Sequence, residues 1–237
     1  MDNYFVSSCK RVKDWICRQF GQKEKKTVHH KKLADGGEVI VWETGRAGEE
    51  AASYENLFLR KEIAGFRTNI RREQSCSIKS LTRDYLYKQL LSSGEYTFDH
   101  MLVIKDPYGE APLTALALFI LEEPARVRVT TKGNLKETDF VTELPKKKEH
   151  RVPILGMYAE KANDIVIEIL DDEGNCVKSH TFTIRTKRLP KSLRNVITVK
   201  KWTDKPAYSN IMINGGVKIH TCVFDIEGKI RYYLSRK

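Results

Sequence analysis

Residues 165–186 read Ile-Val-Ile-Glu-Ile-Leu-Asp-Asp-Glu-Gly-Asn-Cys-Val-Lys-Ser-His-Thr-Phe-Thr-Ile-Arg-Thr, a β-hairpin in outline. Ile165–Leu170 is rich in the β-branched residues that suit a pleated strand. Asp171-Asp172-Glu173-Gly174 supplies the turn, with glycine where φ must be positive. On the return strand, Val177–Thr186, Phe182 and Ile184 share one face while Thr181, Thr183 and Arg185 share the other. That period of two belongs to a strand with one buried side. His180 is in phase with Phe182 and Ile184, so a partly buried histidine is expected there.

The same pattern extends upstream. His100–Ile104 is apolar and extended. Asp106-Pro107-Tyr108-Gly109 fits a type I turn, with Asp at i, Pro fixing φ at i+1 and Gly at i+3. Ala111–Leu121 reads as a buried strand. Val127 and Val129 then alternate with Arg126 and Arg128, and Arg151–Tyr158 continues the series. About six or seven short strands with regular turns predict an Ig-like β-sandwich over residues 96–188.

Residues 1–95 read differently, as a basic region that is helical or irregular. Phe5, Val12, Ile16 and Phe20, with Trp15 beside them, fall near helical spacing, and the opposite face is basic. A Lys-rich stretch, Lys23 to Lys32, follows, and then a strand-like Val-Ile-Val-Trp run within Gly36–Thr44. Further helices are expected at Tyr54–Ile63 and at Leu81–Leu91, the latter capped by Ser80. Residues 189–237 form the third unit. A basic linker, Lys187 to Pro206, leads to a hairpin over Gly216–Leu234 that turns at Asp225-Ile226-Glu227-Gly228. A lone two-stranded hairpin is marginal in water, so this one reads as the beginning of a larger, truncated β unit. The fold class expected is therefore mainly β.

Composition narrows the function classes. The chain has 237 residues, 41% hydrophobic and 31% charged, with a formal net charge of +11. The charge is spread out: 18 Lys/Arg against 14 Asp/Glu in residues 1–100, and 24 against 17 in the rest. A nucleic-acid binder concentrates such charge in a stripe. Lys146-Lys147-Lys148 and the linker Lys187–Lys201 have only Trp202 nearby for base stacking, so solvated loops are expected and no nucleic-acid partner. The longest apolar run, Ala111 to Leu121, is far short of the roughly 20 residues of a membrane span. No secretory signal is read at the start, which makes a cytoplasmic location the expectation.

Three motifs resemble the bacterial aryl-sulfate sulfotransferase family. Asp106-Pro-Tyr-Gly-Glu-Ala-Pro-Leu-Thr-Ala-Leu116 resembles the opening of its N-terminal domain. Val152-Pro-Ile-Leu-Gly-Met-Tyr158, followed by Ala162-Asn163 and the Ile165–Leu170 strand, is similar to that domain's second signature. Val223-Phe-Asp-Ile-Glu-Gly-Lys-Ile-Arg-Tyr-Tyr-Leu234 is similar to the first hairpin of the propeller that follows. The resemblance covers about residues 100–237 and implies a β-sandwich ahead of a six-bladed propeller, with the sandwich helping in dimerisation. It implies sulfuryl transfer from a phenolic sulfate ester to a phenol, without adenosine phosphosulfate, through a transiently sulfated histidine. The residues that do this lie in later blades, so none is carried over and no catalytic, cofactor-binding or metal site is assigned. Family members that are periplasmic have a signal peptide and little before the sandwich, which sets residues 1–95 apart.

Several residues invite a functional reading beside a plainer one. Cys9, Cys17 and His29-His30 could supply zinc ligands, but the C-x7-C spacing is outside zinc-site patterns. His220 lies on the predicted hairpin and could approach a site, or simply face a neighbouring strand. Cys9, Cys17, Cys76, Cys176 and Cys222 are odd in number and widely spaced, and read as reduced thiols without an activating neighbour. The basic amphipathic segment at the N-terminus could lie on an anionic membrane surface or pack on the chain itself. Two functions stay open. One is the N-terminal portion of an aryl-sulfate sulfotransferase-like protein, lacking the catalytic propeller. The other is a non-catalytic interaction or dimerisation module, with membrane-surface contact through its basic helix.

Overall fold

A computed structural model describes residues 27–52, 72–194, 197–198, 210–213 and 221–235, with backbone alone at 72–79 and 210–213. The core is one seven-stranded sheet. Strands β1 (Val28–Lys32) and β2 (Glu38–Trp42) form an antiparallel hairpin, and β2 runs parallel to β3 (His100–Lys105). A parallel pair needs a long crossover. Here it includes a helical segment at residues 44–52 (α1) and α2 (Arg72–Ser92). Strands β4 (Ala115–Thr131), β5 (Phe140–Ile154), β6 (Ala162–Leu170) and β7 (Cys176–Arg185) complete the order β1-β2-β3-β4-β6-β7, with β5 along the other side of β4.

The sheet doubles over because β4 and β5 are long and irregular in the middle. The first part of β4 pairs with β3 and with the end of β5; its second part, from Arg126, pairs with β6 and with the start of β5. The register breaks between Ile120 and Val127, where Pro124 sits, as expected of a residue that cannot donate to a ladder. The two halves therefore face each other as the expected sandwich. Val39, Val41, Met101, Val103, Ala117 and Phe119 meet Val127, Val129, Ile165, Ile167, Phe182 and Ile184 in one core. Most of the first half-sheet's other face is covered too. Leu86, Tyr87 and Leu91 of α2 pack with Ile40, Trp42, Leu102, Ile104, Leu116 and Leu118. Burial on both faces explains why residues 101–104 are uninterrupted Met-Leu-Val-Ile rather than alternating.

The hairpin turns form as their sequences require. The Gly174 amide donates to the Asp171 carbonyl, and Gly174 has φ +92°. The Gly109 amide donates to the Asp106 carbonyl. Other expectations are corrected. Residues 28–42, expected in a separate basic region, are strands of the same sheet, because their Val-Ile-Val-Trp run finds β3 as a partner. Ala111–Leu121 and Arg126–Val129, expected as two strands, belong to one, and the strand begins only at Ala115. Helix α2 starts at Arg72, so Ser80 lies inside it; no Gly or Pro between 72 and 80 stops the helix from extending. Lys146–Lys148 are exposed on β5 rather than in a loop. The helices expected at 5–20 and Tyr54–Ile63 lie outside the described residues.

The C-terminal hairpin is not alone. Strands β9 (Cys222–Asp225) and β10 (Ile230–Tyr233) are joined by β8 (Asn210–Ile213) in a three-stranded antiparallel sheet. Its Cys222, Phe224, Ile230 and Tyr233 enter the sandwich core.

Candidate functional site

The second sheet is fastened to the sandwich through a buried charged cluster. Asp225 opens the β9–β10 turn, and its Oδ1 accepts the amides of Glu227 and Lys229, each at 3.0 Å. Its Oδ2 accepts the Tyr158 hydroxyl at 2.9 Å and Arg231 Nη1 at 3.3 Å. Arg231 donates further to the Gly156 carbonyl (2.7 Å), the Thr138 carbonyl (2.8 Å) and the Tyr158 hydroxyl (3.0 Å). Its guanidinium lies 3.9 Å from the centre of the Tyr158 ring. Asp225 and Arg231 are both 0% exposed. Two buried ions cost several kcal/mol each in desolvation, so the pair persists only with this many directed bonds. Within this cluster, Arg231 Nη2 is buried without a protein partner.

The sandwich is shaped to receive the arginine. Asn163 Oδ1 accepts the Tyr158 amide at 2.6 Å, and Asn163 Nδ2 donates to the Tyr158 carbonyl at 3.0 Å, fixing the ring's position. Gly156, at φ +74°, turns its carbonyl toward Arg231; a Cβ there would come within 2.7 Å of Phe140. Burial pushes the Tyr158 phenol up, against its hydrogen bonds with Thr138 and Asn134, so it stays a donor to Asp225. The segment Ile154–Tyr158 with Ala162-Asn163 thus builds the socket, and the Asp225–Tyr233 segment supplies the plug. The Asp106–Gly109 turn is held from the other side: Arg83 of α2 donates to the Pro107 carbonyl at 2.9 Å, Tyr87 donates to the same carbonyl, and Tyr108 donates to Asp84 at 2.6 Å.

Of the histidines singled out from the sequence, His180 is fully buried, beyond the partial burial expected. It stacks on Phe98 at 4.5 Å and lies between Asp35 and Asp99. His29 and His30 are exposed on β1 beside Glu43 and Glu38. His220, Cys9, Cys17 and Trp202 fall outside the described residues. Cys176 and Cys222 are free, and burial raises both thiols, with Glu168 adding to the effect at Cys176. Among the described residues no group of three or more His, Cys, Asp or Glu could hold a metal, and no helix is long and apolar enough to cross a membrane.

A cavity of about 330 Å³ lies beside the junction, lined by Glu160, Arg188, Leu193, Arg194, Lys229 and Ile230 among others. None of the described histidines or cysteines reaches it. Sequence reasoning named no residue of the charged cluster as functional. The available signal was Arg231 itself, a cation between Ile230 and Tyr232-Tyr233 in an otherwise apolar strand, where an unpaired charge would be costly.

Comparison of the chain with curated proteins finds no match. A family match covers β4 to β7 with most of β3, leaving β1, β2, α2 and the second sheet outside it. The matched residues, 102–187, carry the arylsulfotransferase Ig-like domain, and through it this part of the chain is related to the aryl-sulfate sulfotransferase family.

Proposed function

We propose that this chain is the non-catalytic, sandwich-bearing portion of an aryl-sulfate sulfotransferase-like protein, and that its task is to seat the propeller-like sheet formed by β8–β10. The buried Arg231–Asp225–Tyr158 cluster carries this reading. It ties β9 and β10 to the domain through four hydrogen bonds, three from Arg231 to the Gly156 and Thr138 carbonyls and the Tyr158 hydroxyl and one from that hydroxyl to Asp225, and it is assembled from two segments that resemble that family. Sulfuryl transfer, the phenolic sulfate and phenol substrates, and the sulfated histidine belong to a propeller that the described residues do not supply. Homodimerisation through the sandwich is part of the same proposal.

The test is a transfer assay. The purified chain is incubated with a chromogenic aryl sulfate and a phenol acceptor, and phenolate release is followed. The expected result is the background rate; turnover above background that is retained through further purification overturns the non-catalytic part of the reading. A second reading, an interaction module built on the sandwich, draws support from β1–β2, which extend the sheet, and α2, which covers one face of it, all outside the family match. Propeller repeats bearing His and Arg encoded in frame after Lys237 would favour the first reading, and unrelated sequence would favour the second.

A further inference from the structure

The cavity beside the junction, about 330 Å³, draws its walls from both of the joined sheets. The sandwich contributes the segment that follows β7, where a single helical turn, Lys191–Leu193, is flanked by Arg188, Arg194 and Ile197. The second sheet contributes Lys229, in the β9–β10 turn, and Ile230, the first residue of β10. The volume lies at the low end of the roughly 300–1,000 Å³ of small-molecule sites.

The apolar part of the wall is aliphatic. Leu193 and Ile230 are buried, and Ile197 packs partly buried against the same core, so the fold itself fixes this wall. The polar part is cationic, with Arg188, Arg194 and Lys229 beside a single carboxylate, Glu160. Glu160 Oε2 lies 3.4 Å from Arg188 Nε and so belongs to that arginine. Arg194 and Lys229 have no ion-pair partner among the described residues.

Arg194 is also held in advance. Its Nε donates to the Leu189 carbonyl at 2.9 Å, which leaves the two terminal nitrogens without a protein partner among the described residues. A guanidinium offers such nitrogens to a carboxylate as a two-pronged donor. A group already held in place costs less to order on binding. An inorganic anion uses only the cations, and a neutral aliphatic molecule only the apolar wall. A carboxylate on a short aliphatic chain uses both.

We propose that this cavity is a binding site for a small aliphatic carboxylate. Its chain lies against Leu193, Ile197 and Ile230, and Arg194 and Lys229 hold its head group from the two sides of the junction.

The experiment uses the full chain with octanoate, kept below its micelle concentration, in titration calorimetry and nitrogen-15 NMR. Saturable binding at one site is expected, with shift changes centred on residues 188–194 and 228–230. Acetate lacks the chain and octanol lacks the charge, so each should bind at least about tenfold more weakly. Arg194→Gln and Lys229→Gln, neither at a buried position, should each weaken octanoate binding about tenfold, as for loss of one hydrogen bond to a charged group. Lys187→Gln removes the same charge from an exposed neighbour outside the cavity wall and should leave binding unchanged. Absence of saturable binding, octanol binding as tightly as octanoate, equal effects of the three variants, or shift changes centred elsewhere would each overturn the site.

Discussion

Arg231 and Asp225 sit beyond the reach of water, so neither can lose its partner cheaply. Arg231→Met leaves the Asp225 charge buried and should destabilise the protein by about 3–5 kcal/mol in urea unfolding. Adding Asp225→Asn to that variant should recover part of the loss, because the stranded charge is gone. His150 makes a pH prediction. It is buried against Phe119, and burial pushes its pKa down, opposed by its hydrogen bond to the Lys147 carbonyl. Because the folded value lies below the unfolded one, the unfolded chain binds the extra proton. Stability is then fully present above the unfolded value of about 6.5 and declines as pH falls below it. Comparing urea midpoints at pH 7 and pH 5 should show a smaller drop for His150→Gln than for the unsubstituted chain.

At the scale of elements, two glycines separate strain from crowding. Gly174 has φ +92° with only Arg126 near its missing Cβ, at 3.6 Å, so Gly174→Ala should cost about 1 kcal/mol of left-handed strain. Gly156 combines a positive φ with Phe140 at 2.7 Å, and its carbonyl serves Arg231. Gly156→Ala should therefore cost clearly more than Gly174→Ala when the two variants are compared by thermal unfolding. These turns were legible in the sequence because their chemistry is local: Asp171-Asp172-Glu173-Gly174 and Asp225-Ile226-Glu227-Gly228 each carry their own acceptor and glycine. The alternation of Arg126, Val127, Arg128 and Val129 was legible for the same reason. The continuity of β4 was not, since a strand is kept whole across Glu122–Pro124 by partners far along the chain. Nor was the parallel β2–β3 pairing, whose partners are about 60 residues apart and chosen by shared burial. The socket at Gly156 and Tyr158 stood in a recognised motif, yet its purpose appears only when Arg231 arrives beside it.

At the scale of the molecule, two layers cover the first half-sheet, the second half-sheet on one face and the helical layer on the other. Leu86 is 1% exposed between α2 and the sheet, and Leu86→Ala should cost about 2–5 kcal/mol, read as a lower denaturation midpoint. On the proposed account the charged junction, together with Cys222, Phe224, Ile230 and Tyr233 in the shared core, makes the sandwich and the β8–β10 sheet one cooperative unit. Hydrogen exchange by mass spectrometry of the full chain, with and without Arg231→Met, tests this most directly. The scaffold account predicts that residues 222–233 lose protection in the variant while β6 and β7 keep theirs. Unchanged protection of residues 222–233 would contradict it, because the sheet would then be held without the arginine.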